Sequence, residues 1–326
     1  MSDASIHQPH DKLFKAGFSD PANAAGLLRT EIPETISTHI AWDQLQLEPG
    51  SFVDSHYRHT ESDLLFSAPF SGTRCLIYIL FEHQMAFEPL LALRLLRYMV
   101  RIWEKHLNAH PASQSLPVIL PVVLAQNAEP WKLSPRFSAL FDVPADAAGG
   151  LRPFIPDFTF RLIQLAELPF ETIGGTPSGI MILRTMKAER IGKLLDDPVW
   201  DETLIIQMPR EMFEGLVHYM LNTDVDKDGF DARVQGIKHS QTKTTAMTLA
   251  DQLRQEGIQE GRQEGRQEGV IVAQQKAVLD ALEIRFTTVP DGLRESIMGL
   301  DDEAHLRRLL RASIQAASLE DFSKAL

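Results

Sequence analysis

Runs of apolar positions along the chain predict its strands. Residues 63–66 and 75–81 are predicted as strands joined by a turn at 69–72, which makes a hairpin. Because the stretch 75–81 is apolar on both faces, its strand is expected to lie centrally in a sheet that is covered on both sides. A further buried strand is predicted over 118–124.

Helical spacing of apolar residues predicts the elements around these strands. Short amphipathic helices over 10–18 and 20–28 precede the hairpin, and the clearest helix of the chain begins at Pro89. One face of that helix carries a basic row, which consists of Arg94, Arg97, Arg101 and Lys105. The order helix, strand, strand, helix, strand predicts an α/β fold with a mixed sheet flanked by helices.

Beyond about residue 170 the pattern is helical. Helices are predicted over 180–195, 200–207 and 209–221, and a polar stretch follows near 235–245. The predicted division is a core over 1–170, a helical extension over 171–245 and a helical tail over 246–326.

The tail contains the one internal repeat of the sequence, Gln-Glu-Gly every four residues from Gln255 to Gly269. This period is close to one helical turn, so the glycines lie along one side of a predicted helix. Each interior glycine costs about 0.8–1 kcal/mol relative to alanine, and close packing on a partner helix would offset that cost. Two interpretations stay open, self-association into a homo-oligomer through the C-terminal helices and a solvated linker.

Composition narrows the class of protein. The 326 residues are 44% hydrophobic and 23% charged, ordinary values for a globular protein, and the single cysteine, Cys75, excludes an intramolecular disulfide. The N-terminus lacks the apolar stretch of a signal peptide, and no apolar run approaches the roughly 20 residues of a membrane helix. We therefore expect a soluble, cytoplasmic protein that does not enter a membrane.

Net charge excludes one mode of DNA binding. Asp and Glu number 44 against 32 Lys and Arg, giving −12, so the chain as a whole repels DNA at long range. Any nucleic-acid site must be local, a basic stripe or a metal ion on an acidic background.

The end of the second predicted strand carries candidate chemistry. Alternation places Glu82 and Gln84 on one face and His83 on the other, and hairpin pairing can bring Asp63 beside Glu82. Two converging carboxylates suit Mg²⁺, which polarises a phosphoryl oxygen and lowers the pKa of bound water. The alternative is that Asp63 is a turn residue and Glu82 a solvated charge at a strand end.

Several ordered motifs together resemble the Rpn family of recombination-promoting nucleases, which also carries the name of YhgA-like transposases. The motifs are 10–15 (HDKLFK), 47–54 (LEPGSFVD), 62–66 (SDLLF), 81–84 (FEHQ) and 93–99 (LRLLRYM). The resemblance continues through 247–269 and to Arg285-Phe286 with its trailing helices, and so covers nearly the whole chain.

The resemblance implies a restriction-endonuclease-like core of the PD-(D/E)xK type and metal-dependent DNA cleavage linked to recombination. It assigns metal binding to Asp63 and Glu82, with Asp11 as an additional acid and Mg²⁺ or another divalent cation as cofactor. Gln84 stands where the superfamily has lysine, so it can orient water or phosphate but supplies no cation. Many relatives have Asp-Leu where this chain has Gln164-Leu165.

The basic row has two interpretations. Arg94, Arg97 and Arg101 follow Gln84 closely and are candidates for contacts with DNA phosphates, which carry no base specificity. Alternatively, Arg101 pairs with Glu104 and the others pair with acids elsewhere, in a solvated face.

Two further motifs imitate metal sites. The run 224–229 (DVDKDG) matches the start of an EF-hand loop, but Gln235 replaces the bidentate glutamate, and helix capping or turn formation explains the run equally well. His106 and His110 lack a third ligand and are interpreted as surface residues.

Three functions are compared on this basis. The first is a metal-dependent DNA endonuclease that uses Asp63, Glu82 and Gln84. The second is a DNA-associated or protein-interaction module that kept the fold and lost the chemistry, and the third is an oligomeric scaffold built through the tail. Net acidity and the missing lysine favour the second, whereas three polar site residues in order favour the first.

Overall fold

A computed structural model describes residues 9–49, 64–71, 76–132, 134–144, 147–223 and 225–326. Of the side chains within these ranges, those of residues 76–78, 80, 82, 148, 256, 257, 260 and 264 lie outside the description. The chain forms two compact units, Met1–Ala250 and Asp251–Leu326.

The helices and strands follow the chain in a mixed order. The strands are β1 (Gln46–Leu47), β2 (Leu64–Pro69), β3 (Leu76–Gln84), β4 (Val118–Ala125) and β5 (Arg161–Gln164). The helices of the first unit are α1 (Pro9–Phe18), α2 (Pro21–Glu31), α3 (Glu34–Ser37), α4 (Leu91–Ala109), α5 (Ala148–Leu151), α6 (Pro177–Arg190), α7 (Glu202–Ile205), α8 (Arg210–Leu221) and α9 (Lys227–Gly236). The helices that follow are α10 (Ser240–Phe286), α11 (Asp291–Met298), α12 (Glu303–Gln315) and α13 (Leu319–Ser323).

The described sheet has five strands in the order β1-β2-β3-β4-β5. Strands β1, β2 and β3 are antiparallel neighbours, whereas β3, β4 and β5 run parallel. The β2–β3 register pairs Leu64 with Phe81, and the β3–β4 register pairs Glu82 with Val123 and Gln84 with Ala125. The predicted hairpin, the central position of β3 and the mixed α/β class are confirmed.

Both faces of the sheet are covered by helices. On one face, Phe81 of β3 packs against Phe14 and Phe18 of α1 within a core that also takes in α2, α6 and α8. On the other face, Leu65 of β2 and Val123 of β4 pack against α4. Burial on both faces explains why β3 and β4 are almost continuously apolar.

Local signals placed most elements within a few residues. The helix predicted from Pro89 begins at Leu91, and the strand predicted over 118–124 is β4. Strands β1 and β5 were not predicted, because they are two and four residues long and carry little periodicity. The helix predicted over 180–195 begins at Pro177, capped by Thr176, and ends at Arg190.

The helices after residue 170 share the core of the sheet. Met181 of α6 and Leu216 of α8 are buried in the same cluster as Phe14 and Phe81. The compact unit therefore includes the predicted extension and ends at Ala250. The polar stretch predicted near 235–245 contains the end of α9 and the start of α10.

The second unit has its own hydrophobic core. Leu282 of α10, Ile297 of α11, Leu306 of α12 and Phe322 of α13 are fully buried there. Arg285 donates from Nη1 to the carbonyl oxygens of Ser313 (2.8 Å) and Ile314 (2.6 Å), close to the end of α12. These bonds satisfy carbonyl groups that a helix end leaves without intrahelical partners, which gives the arginine of the Arg-Phe motif a structural role.

The glycine repeat lies within α10, a helix of 47 residues. A Cβ atom built on Gly261, Gly265 or Gly269 meets nothing within 4 Å. Within this chain, therefore, no close packing requires glycine at these positions. Among the described helices, none combines the length and apolar character needed to cross a lipid bilayer.

Candidate active site

The end of strand β3 carries two of the three predicted catalytic residues. Glu82 pairs with Val123 of β4 and Gln84 pairs with Ala125. The backbone N–H of Gln126 donates to the carbonyl oxygen of Gln84 at 2.8 Å. Asp63 and the side chain of Glu82 lie outside the described residues. Leu64, next to Asp63 in the chain, pairs directly with Phe81, next to Glu82.

Alternation along β3 separates two sets of residues. Phe81 and His83 are buried on the α1 face of the sheet. Positions 82 and 84 therefore belong to the opposite face, where Leu65 of β2 packs against α4. The strand consequently presents its predicted site positions on the side of the basic helix.

Asp11 is on the α1 side and contacts His83. Its Oδ1 atom lies 2.7 Å from Nδ1 of His83, whose side chain is fully buried and stacks on Phe14 with ring centroids 5.2 Å apart. Asp11 therefore contacts His83, the residue of the predicted motif Glu82-His83-Gln84 that faces α1.

Gln126 lies at the centre of a buried polar network on this face. Its Oε1 atom is 2.9 Å from Nε2 of His83, and its Nε2 atom is 3.0 Å from the carbonyl oxygen of Met186. The same Nε2 atom lies 3.2 Å from Oε2 of Glu189 and 3.3 Å from the hydroxyl oxygen of Tyr219. The Gln126 side chain is fully buried, so these hydrogen bonds satisfy the polar atoms that water would otherwise satisfy.

Donor and acceptor types decide how the network is protonated. The carbonyl of Met186 and the carboxylate of Glu189 only accept, so the amide nitrogen of Gln126 must face them and its oxygen must face His83. Nε2 of His83 therefore donates to Gln126, and Nδ1 of the same ring shares a hydrogen bond with Oδ1 of Asp11.

His10 is held in the neutral form at the edge of the network. Its Nδ1 atom lies 2.7 Å from the hydroxyl oxygen of Tyr219, which donates to it. Burial, together with electrostatic repulsion from Arg190 and His83, lowers the pKa of His10 to about 4, and Asp11 acts in the opposite direction. Burial also raises the pKa of the Tyr219 hydroxyl, with a further contribution from Glu189.

The low pKa of His10 predicts a pH-dependent loss of stability. Between the usual pKa of 6.5 and the folded value of about 4, the unfolded chain binds a proton that the folded chain does not, so stability falls as the pH falls. We expect a loss on the order of 1–2 kcal/mol after solvent screening. The measurement is urea unfolding at pH 7, 5.5 and 4.5 for the wild type and His10→Asn. A variant whose free energy of unfolding falls as steeply as that of the wild type would contradict the prediction.

The basic helix is partly neutralised by acids. Nη1 of Arg94 lies 2.8 Å from Oε2 of Glu88, in the segment before α4, so this arginine follows the ion-pair interpretation. Arg97 is exposed on the same helix, and Arg101 is half-buried one turn later. The Nζ atom of Lys105 donates to the carbonyl oxygen of Pro49 at 2.9 Å.

The end of β5 holds Gln164, which stands where many relatives have aspartate, and contacts Lys187, which the sequence did not single out. Oε1 of Gln164 accepts from the backbone N–H of Trp131 at 2.5 Å, so the residue ties β5 to the segment after β4. Lys187 of α6 is buried and donates to the carbonyl oxygens of Leu165 (2.6 Å) and Ala166 (3.0 Å). Burial lowers the pKa of Lys187, which acts as a structural donor.

The two motifs that imitate metal sites have other roles. Oδ2 of Asp226 accepts from the backbone N–H of Gly229 at 3.0 Å and caps α9, as the capping interpretation predicts, whereas Asp224 lies outside the description. His106 and His110 stack with ring centroids 4.6 Å apart. Among the described side chains, no three acids, histidines or cysteines are grouped as metal ligands, and this search does not include Asp63 or Glu82.

Comparisons with known proteins agree with the motifs of the chain. The family model described as "Putative transposase, YhgA-like" matches residues 8–200, more than half of the chain. Recombination-promoting nuclease RpnA of Escherichia coli K12 is 28% identical over 79% of this chain and 87% of its own length. RpnD, a recombination-promoting nuclease of Escherichia coli O157:H7, is 30% identical over 41% of this chain and 52% of its own.

One similar protein is named as inactive. RpnE of Escherichia coli K12, an inactive recombination-promoting nuclease-like protein, is 27% identical over 79% of this chain and 85% of its own length. No solved structure matches the chain. The match over residues 8–200 establishes the family: the chain belongs to the YhgA-like transposases, whose relatives here carry the names of recombination-promoting nucleases.

Proposed function

We propose that the chain is a metal-dependent DNA endonuclease that hydrolyses phosphodiester bonds in recombination or mobile-element activity. The observation that carries the proposal is the register of the β2–β3 hairpin. Leu64 pairs with Phe81 in the antiparallel hairpin. Asp63 precedes Leu64 in the chain and Glu82 follows Phe81, so the same register continued by one residue would bring the two predicted acids opposite each other. Names of related proteins as nucleases support the same conclusion at the level of the family.

The donor set at this place suits a hard divalent cation. Asp63 and Glu82 would hold Mg²⁺ or a similar ion through carboxylate oxygens, with water and a DNA phosphate completing its shell. When bound, the ion supplies charge stabilisation at the phosphoryl oxygen and acidifies bound water. Gln84, two positions beyond Glu82 on the same face, would orient the attacking water through its amide. Asp11 is the weakest ligand candidate, because its Oδ1 atom is bound to His83.

The direct test is cleavage of supercoiled plasmid in Mg²⁺, Mn²⁺, Ca²⁺ or EDTA. The wild type is compared with Asp63→Ala and Glu82→Ala, purified in the same way. Metal-dependent cutting that both substitutions abolish supports the proposal.

The α4 face is the proposed DNA contact. The helix packs on the same side of the sheet as positions 82 and 84, so its arginines can follow the backbone of a bound duplex. Of these arginines, Arg97 is exposed, whereas Arg94 pairs with Glu88. A local basic row of this kind offsets the repulsion expected from a net charge of −12.

Replacing Arg97 and Arg101 by glutamine is expected to flatten the salt dependence of DNA binding. Each lost phosphate contact removes about 0.9 from the slope of log K against log salt, so the double variant should lose about 2. Fluorescence anisotropy from 50 to 300 mM KCl, in Ca²⁺ to suppress cleavage, measures this slope. The matched control is Arg210→Gln on α8, which should keep the wild-type slope, and an unchanged slope in the double variant would remove the phosphate role.

A second candidate function is a DNA-associated module without catalysis. The observations that favour it are Gln84 in place of the superfamily lysine and the inactive relative RpnE. Such a protein would bind DNA with the same salt dependence and leave the plasmid uncut in every metal.

We also propose that the tail mediates homo-oligomerisation. The open surroundings of Gly261, Gly265 and Gly269 leave room for a partner helix to approach α10 closely. Light scattering should show a smaller assembly for a chain ending at Leu249 than for the full chain. If the truncated and the full chain form assemblies with the same number of subunits, the tail is excluded as the element of assembly.

A further inference from the structure

We propose that Asp11 and His83 are positioning residues that hold the end of β3, and with it positions 82 and 84, against β4. The inference rests on the proposed nuclease site and deepens it. It assigns Asp11 a role different from metal binding, since the residue acts on the site through a neighbouring strand residue.

The first step is the continuity of the contacts. A chain of hydrogen bonds runs from Oδ1 of Asp11 to Nδ1 of His83 (2.7 Å), and from Nε2 of His83 to Oε1 of Gln126 (2.9 Å). The backbone N–H of Gln126 then donates to the carbonyl oxygen of Gln84 at 2.8 Å. The network thus starts on α1 and returns to β3 itself, one residue beyond His83.

The second step is the pairing of this strand end with β4. That pairing continues through Glu82 and His83 to Gln84, the last residue of β3. The segment 82–84 is therefore held by β4 within the sheet and by the contacts of His83 on the α1 face. A site that must hold its groups within about 0.5 Å needs such support from neighbouring hydrogen bonds.

The third step concerns buried polar groups. The side chain of His83 is fully buried, and a buried polar group is costly unless it is hydrogen-bonded. Asp11 is the carboxylate that meets its ring at hydrogen-bond distance, with Gln126 on the opposite nitrogen. Removing either residue leaves the other without its hydrogen-bond partner, so the effects of substituting Asp11 and His83 should not add.

The experiment is a double-mutant cycle on the full-length protein. The variants are Asp11→Asn, His83→Phe, which keeps the ring stacked on Phe14, and the combination of both. Hydrogen exchange of the Gln126 amide reports whether the end of β3 stays bound to β4. The Val123 amide, in the middle of β4, is the internal reference, and Asp20→Asn on the neighbouring helix start is the matched control for a lost carboxylate.

We expect exchange of the Gln126 amide to accelerate at least about tenfold in both single variants, with no further gain in the double variant. The Val123 amide and the Asp20→Asn protein should exchange as in the wild type. On plasmid DNA, kcat should fall about 10- to 100-fold while KM for DNA and the half-saturating Mn²⁺ concentration stay within about twofold.

Two results would overturn the positioning role. One is an unchanged Gln126 amide in either single variant, and the other is a tenfold or larger increase in the half-saturating Mn²⁺ concentration for Asp11→Asn alone, the signature of a lost ligand. If the wild type cuts no DNA, the nuclease proposal fails, while hydrogen exchange still decides whether Asp11 and His83 hold the strand.

Discussion

Alanine in place of Asp63 or Glu82 is expected to lower metal-dependent plasmid cleavage by at least about a thousandfold. In the proposed site two carboxylates would hold the cation, so removing either one would lose the charge stabilisation and water activation that the cation supplies. Leu64 and Phe81, the chain neighbours of Asp63 and Glu82, pair directly, so the two acids are expected to share one site and to give similar losses.

The measurement needs controls for folding and for contamination. Asp43→Ala, an exposed aspartate before β1, should cut like the wild type. Thermal unfolding should show that all variants are folded. Equal cutting by all four proteins would identify a contaminating nuclease or a different site. If all four are folded and inert, the binding module becomes the better description.

Replacing Gln126 by methionine is expected to lower the free energy of unfolding of the first unit by about 3–5 kcal/mol. Methionine matches the length of glutamine but makes none of its hydrogen bonds with His83, Met186 and Tyr219. Each buried group left without a partner costs about 1–3 kcal/mol, and the substitution leaves several such groups at once.

Tryptophan fluorescence during urea unfolding is a suitable measurement. All four tryptophans lie before residue 250, so the signal reports on the first unit alone. Gln46→Met on the exposed edge strand β1 is the control and should change stability by less than about 0.5 kcal/mol. A loss in Gln126→Met no larger than that of the control would show that the network contributes little.

Local patterns in the sequence predicted the frame of the site. The apolar run that became β3 and the helical spacing that became α4 are properties of neighbouring residues, and the structure confirms both. The roles of Asp63, Glu82 and Gln84 stay predictions, because they follow from the resemblance to the family and from the hairpin.

The polar network was invisible in the sequence for a physical reason. His83 and Gln126 are 43 residues apart, and Asp11 and His83 are 72 apart, so no periodicity connects them. Lys187 reads as a surface residue of a helix, yet it is buried against the end of β5. One signal was present: Gln126 directly follows the apolar strand β4, where an amide without a partner is costly.

The alternation of β3 also bears on how members of such a family diverge. His83 and its partners stabilise the fold from one face, whereas positions 82 and 84 lie on the other. If Glu82 holds the metal as proposed, a substitution there would end catalysis and leave the packing of α1, β3 and β4 intact. Loss of enzymatic activity would then not require loss of the folded protein, and a non-cutting descendant could persist and acquire another use.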